Sequence, residues 1–194
     1  MAAQRELVSI TRTEIDAQTI QGFVLASSDQ LVVLQYVCDF RLDGLMVLST
    51  SDITEIRSSA TNKFQTTLLE QDGLLEQVPF DMTFDLQDWR AIIKQLARAH
   101  PLLILECERG DDPDFIIGRL VKTTSAAAHV RYFTGVGRWL EKPHRVNFCD
   151  ITCCQVDSNY LNVYQRHLSA TPPTTATALS TTSAHPGAAR THGG

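Results

Sequence analysis

Two stretches of this chain repeat one another in order and spacing, so whatever it folds into is built twice. Leu7, Asp16, Ile20 and Gly22 recur without a gap as Leu103, Asp112, Ile116 and Gly118, about 96 residues on, and Asp52-Ile53-Thr54 recurs as Asp150-Ile151-Thr152. A chain of 194 residues then divides into two small copies. Each is near the lower end of comfortable domain size, and small domains bury proportionally little surface. The copies are therefore expected to share an interface rather than hang apart on a linker.

The hydrophobic pattern within each copy reads as short strands followed by a helix. In the first copy β-prone runs fall at Leu7 to Arg12, Thr19 to Ala26, Leu31 to Val37 and Leu45 to Ser49, with a short fifth at Ile53 to Ile56. Ser27-Ser28-Asp29 and the run from Asp39 to Gly44 supply turns. The second copy offers Leu102 to Cys107, Phe115 to Thr123, His129 to Phe133, Trp139-Leu140 and Val146 to Cys154. Strands this short and regular imply a small barrel in each copy. Phe64, Leu68 and Leu69 mark a trailing helix that stops at Asp72-Gly73, and Tyr160, Val163, Tyr164 and Leu168 mark its counterpart. Between the copies Leu86, Trp89, Ile93 and Leu96 share one helical face, with Asp85 as the expected N-cap and His100-Pro101 as the stop. Trp89 is expected to anchor the two copies together.

The expected organisation is a first small barrel with a helix over 1–83, a connecting helix over 84–101, a second barrel with a helix over 102–168, and a tail over 169–194. The tail is almost entirely Ala, Thr, Ser, Pro, Gly and His, and a segment with so little to bury is expected to be disordered.

The run Gly22-Phe23-Val24-Leu25, Leu31 to Leu34, Asp43-Gly44-Leu45-Met46-Val47-Leu48 and Asp52 to Ile56 resembles a group of uncharacterised bacterial proteins with tandem SH3-like or Sm-like small barrels. The second copy is similar to it through Ile117 to Leu120 and Asp150-Ile151-Thr152, with Gly135-Val136-Gly137-Arg138-Trp139 in place of the Asp-Gly turn. The resemblance covers most of Leu7 to Leu168. It implies a mainly β fold, and it brings no catalytic residues.

Charge divides between the copies. Met1 to Thr83 carries five basic residues against twelve acidic ones, a net of −7, while Phe115 to Leu168 carries seven against three, a net of +4. The bland account of this asymmetry is complementary docking between the copies. The chemical account is a basic, aromatic second copy in which Arg131, Arg138, Trp139, Lys142 and Arg145 contact nucleic acid, and an acidic first copy in which Asp39, Asp43 and Asp52 meet a protein partner.

Motifs for chemistry are missing. Cys149, Cys153 and Cys154 beside His144 form one loose cluster, whereas structural zinc sites pair their ligands in two knuckles. If Val146 to Cys154 is one strand, alternation places Cys149, Ile151 and Cys153 on one face as small core residues. There is no Gly-x-Ser-x-Gly elbow, and Gly135-x-Gly137 lacks the third glycine of a dinucleotide site and is expected to be a turn. No metal, cofactor or catalytic role is therefore expected. No window is apolar enough for a membrane span, the N-terminus lacks a signal-peptide pattern, and five cysteines form no paired framework; the expected location is the cytoplasm. The expected function is a non-catalytic protein-interaction or scaffolding module that binds a protein partner or itself. The alternative is weak binding of RNA or another single-stranded nucleic acid.

Overall fold

Among the described residues, aliphatic runs and tight turns make ten strands and three α-helices. The computed structural model describes residues 5–170. Its strands are β1 (Leu7–Arg12), β2 (Asp16–Ser27), β3 (Leu31–Cys38), β4 (Arg41–Ser49) and β5 (Glu55–Arg57) in the first copy, then β6 (Leu103–Cys107), β7 (Asp114–Thr123), β8 (Ala127–Tyr132), β9 (His144–Asn147) and β10 (Cys153–Val156) in the second. The helices are α1 (Ala60–Gln71), α2 (Trp89–Ala99) and α3 (Asn159–Ala170). Ser169 and Ala170, assigned to the tail by composition, are the last residues of α3, and the rest of the expected tail lies outside the described residues.

The β3–β4 hairpin turns earlier than its Asp43-Gly44 pair suggests. Cys38 pairs with Arg41, which leaves Asp39 and Phe40 as a two-residue turn, and both have positive φ, 46° and 60°. That is the combination a tight hairpin needs to match strand twist. Gly44 instead lies inside β4, where a Cβ would run into the backbone at the end of β10.

All ten strands join one open antiparallel sheet in the order β5-β1-β2-β3-β4-β10-β6-β7-β8-β9. The fold is mainly β, but hydrogen bonding does not close two separate barrels. β5 is three exposed residues, Glu55-Ile56-Arg57, too short and too charged to seal the long apolar edge of β4. β10 takes that place, pairing Cys153 with Leu48 and Val156 with Leu45. Each copy nevertheless keeps one internal order: fifth strand, first, second, third, fourth. The registers repeat as well. Gly22↔Tyr36 corresponds to Gly118↔Tyr132, the irregularity after Val24 to that after Leu120, and Val32↔Leu48 to Ala128↔Val146. The first strand slips by one: Val8 faces Gly22 whereas Leu103 faces Gly118, so Leu102, not Leu103, stands at the station of Leu7.

The segment read as one strand from Val146 to Cys154 is two strands separated by a turn. Asp150 N–H returns to Asn147 O, which leaves Cys149 exposed in the turn, while Cys153 and Cys154 are both buried because β10 is covered on both faces.

The helices are capped by side chains. Ser59 and Asn62 form a reciprocal capping box on α1, and buried Asn62 also donates to Ser9 on β1. The helix ends at Asp72 and Gly73, as its sequence indicates. α2 starts one turn later than expected because Asp88, not Asp85, accepts from Ala91 N–H; the Asp85 N–H is taken by Gln95. Ile92, Ile93 and Leu96 on α2 are fully buried, each worth roughly 1.5–3 kcal/mol over exposure. They and half-buried Trp89 pack into a core that draws on strands of both copies.

Candidate functional site

The register that relates the copies also shows where they diverge. On the first copy Phe23, Ala26, Val33 and Val47 stand at stations that β7, β8 and β9 fill with Arg119, Lys122, His129 and Arg145. Phe23, Val33 and Val47 are completely buried in the main core. Their polar counterparts lie on the outward face of the second copy, where Arg119, Lys122 and Arg145 are exposed.

Pairing brings these side chains into rows. Arg119 faces Arg131 across β7 and β8, and His129 faces Lys122 on one side and Arg145 on the other. Trp139, held by a backbone bridge to Phe133, lies under the Arg pair, with the two guanidinium carbons 5.8 and 5.7 Å from its ring centre. Each contact contributes on the order of 0.5–1 kcal/mol at an exposed site. Arg131 also donates from Nε to Leu140 O at 3.3 Å. Among the described residues none of Arg119, Lys122, Arg131 and Arg145 is in an ion pair.

From Trp139 a run of aromatic rings leads away under α3. Centre-to-centre distances are 5.2 Å from Trp139 to Phe133, 4.9 Å to Tyr164, 5.1 Å to Tyr160 and 6.5 Å to Phe115. Tyr164 Oη donates to Gly135 O at 2.9 Å, which fixes the loop before Trp139. Phe133 is buried, whereas Tyr160 and Phe115 are each about half exposed.

Of the five residues singled out for nucleic-acid contact, Arg131, Trp139 and Arg145 share this face. Arg138 and Lys142 are exposed on the loop that joins β8 to β9. Arg119, Lys122 and His129 were not among the five; strict superposition of β7 and β8 on β2 and β3 would have found them as polar residues at apolar stations. The three acids are dispersed. Asp39 is in the β3–β4 turn, Asp43 accepts the Asn159 N–H at 2.6 Å where α3 begins, and Asp52 is gripped by Arg109.

A polar cleft of about 310 Å³ opens at the end of the second copy, lined by residues including Cys107, Asp114, His144, Cys149 and Asp150. His144 Nε2 is 3.1 Å from Asp114 Oδ2. Cys149 donates its thiol to Asp150 at 3.3 Å, and this bond, more than its small desolvation, pushes its pKa up. Burial first, then the charge of Asp114, pushes Cys107 to about 11. Both shifts favour the thiol over the nucleophilic thiolate. Asp150 is held below its usual range chiefly by the Asn147 amide. Among the described residues no group of three or more His, Cys, Asp or Glu is placed to hold a metal ion.

Two Arg–carboxylate pairs lock the copies together beside this cleft. Buried Arg12 makes two bonds to Glu108, at 2.7 and 3.0 Å, and Thr152 donates to the same carboxylate at 2.6 Å. Burial works against the Arg12 charge, but the bond to Glu108 and its charge outweigh it and raise the pKa. Next along the chain, Arg109 grips Asp52 at 2.7–2.8 Å and the Cys149 carbonyl at 3.0 Å.

No described helix is long and apolar enough to cross a membrane. Neither a protein-family model, nor a curated protein, nor a solved structure matches the chain.

Proposed function

We propose that this chain is a non-catalytic interaction module that recruits its partner by strand addition at the open ends of its sheet. The pairing of β4 with β10 carries this reading: the fourth strand of one copy receives the fifth strand of the other. At the two ends of the sheet the same two kinds of strand remain open. Among the described residues β9, the fourth strand of the second copy, pairs only with β8, and β5, the fifth strand of the first, pairs only with β1. Unpaired strands offer backbone donors and acceptors to another chain, and complementary ends favour a second copy as the first partner, joined head to tail. Half-exposed Ile56 gives the β5 end an apolar contact. Five unpaired thiols suit a reducing compartment, and the reading places the module in the cytoplasm.

Sedimentation velocity over a concentration series tests this. The expected result is concentration-dependent association that slows hydrogen exchange in β5 and β9, and that Ile56→Lys abolishes without lowering the melting temperature. A chain that stays monomeric throughout, or an Ile56→Lys variant that associates equally well, refutes pairing between copies.

A further inference from the structure

We propose that the outward face of β7, β8 and β9 binds single-stranded nucleic acid, with Arg119, Lys122, Arg131 and Arg145 on the phosphates and the exposed rings of Tyr160 and Phe115, at the far end of the aromatic run from Trp139, on the bases. This goes beyond edge pairing, since it uses a face of the sheet and not an end.

Three observations converge on it. First, Arg119 and Arg131 are direct cross-strand neighbours. Like charges in that position destabilise a sheet, so the arrangement costs the free protein stability that an anion would restore. Second, the stations are not cationic by default: the first copy fills those of Arg119, His129 and Arg145 with Phe23, Val33 and Val47, buried in the core. Third, an acidic peptide would use the cations alone, whereas here aromatic rings continue from the Arg pair through Trp139 and Tyr164 to half-exposed Tyr160 and Phe115. Rings that stack on bases next to cations that hold phosphates are the two requirements of a single-strand platform, and paired bases in a duplex present no free faces. With strands about 4.8 Å apart, three strands make a patch roughly 10 Å across, room for a few nucleotides.

The test is fluorescence anisotropy of the full chain with labelled RNA and DNA single strands of about 12 nucleotides, and with the matching duplex, between 50 and 200 mM salt. Single strands are expected to bind in preference to duplex, with a log–log salt slope near −3, about −0.7 for each of four permanent cations. RNA binding more tightly than DNA, or the reverse, assigns the natural strand. Arg131→Glu removes one cation and engages a second by pairing with Arg119. It is expected to weaken binding at least tenfold and flatten the slope by about 1.4, with the melting temperature close to the parent's, because the new pair with Arg119 offsets the lost Trp139 and Leu140 contacts. Tyr160→Ala is expected to weaken binding about fivefold or more with the slope unchanged. No binding of either single strand at 50 mM salt overturns the proposal, as do unchanged affinity in Arg131→Glu, equal affinity for the duplex, or displacement of the oligonucleotide by polyglutamate as readily as by unlabelled strand. The last result would assign the face to an acidic protein.

Discussion

Replacing Glu108 with Gln separates a buried charge from its partner while keeping side-chain shape. The Arg12 side chain is 6% exposed and that of Glu108 19%, and two bonds of 2.7 and 3.0 Å join them. Removing one member of such a pair leaves the other charged and desolvated, which costs about 3–5 kcal/mol. Glu106, also close enough to act on Arg12, limits the loss to the lower part of that range. At roughly 2–4 °C per kcal/mol for a chain of this size, the melting temperature should fall by about 6–15 °C. Replacing both residues, as Arg12→Met with Glu108→Leu, should return stability to within about 1 kcal/mol of the parent, because the charge that needed a partner is gone. The neighbouring pair supplies the control. Arg109 is 39% exposed at its side chain, so Asp52→Asn should cost no more than about 1 kcal/mol. Urea unfolding of the four chains in the Arg12–Glu108 cycle measures the coupling directly. If Glu108→Gln costs less than about 1 kcal/mol, the junction is not held by a desolvated ion pair and the reasoning fails.

Two further outcomes follow from the same region of the sheet. Gly118→Ala should destabilise by about 1–3 kcal/mol in urea unfolding, since a Cβ there meets the Arg131 carbonyl on the neighbouring strand; a loss below 0.5 kcal/mol would mean that β8 yields easily. Burial first, and the charge of Glu108 second, raise the pKa of Glu106 above its usual 4.5, so the folded state prefers the proton. The contribution of Glu106 to stability is then fully present below about 4.5 and is lost as pH rises through the folded value; Glu106→Gln should flatten that decline, and an identical pH profile would refute it.

The elements that sequence located well are those with strong local causes. β1 begins and ends where its β-prone run does, and α1 stops at Asp72-Gly73 because glycine there accepts a positive φ of 68°. What it missed was set by distant partners. Whether β4 closes on β5 or on β10 is decided by a strand more than 100 residues away, and Leu45 to Ser49 reads the same in either case. The one-residue slip of β6 against β1 was hidden because Leu102 and Leu103 are both leucines and either fits the repeat. The cationic face was half legible: charge counting found the basic copy and named Arg131, Trp139 and Arg145. Arg119 entered only the count of basic residues, because its place opposite Arg131 depends on the register of β7 and β8.

The two copies share one strand order but put equivalent stations to opposite uses, and the junction explains why. β4 and β10 are buried on both faces, as Leu45 to Ser49 and the adjacent Cys153 and Cys154 show. The sheet therefore carries apolar cover on both faces at its centre, and the copies differ in what covers them farther out. On one side α2 supplies Ile92, Ile93 and Leu96 to a core shared by Phe23, Val33 and Val47 of the first copy and Ile116, Ala128 and Val130 of the second, and it packs against β7. On the other, in the second copy, α3 brings Leu161, Tyr164 and Leu168 onto Leu102, Ile104, Ile117 and Phe133. That cover ends at Trp139. Beyond it the stations of Arg119, His129 and Arg145 no longer serve the core, because the main cluster draws instead on Val130, Ala128 and Val146 from the other side of the same strands. A second half that the main core covers on one face, and that α3 covers on the other only as far as Trp139, leaves the rest of that second face free to carry charge, and there the chain has placed its cations.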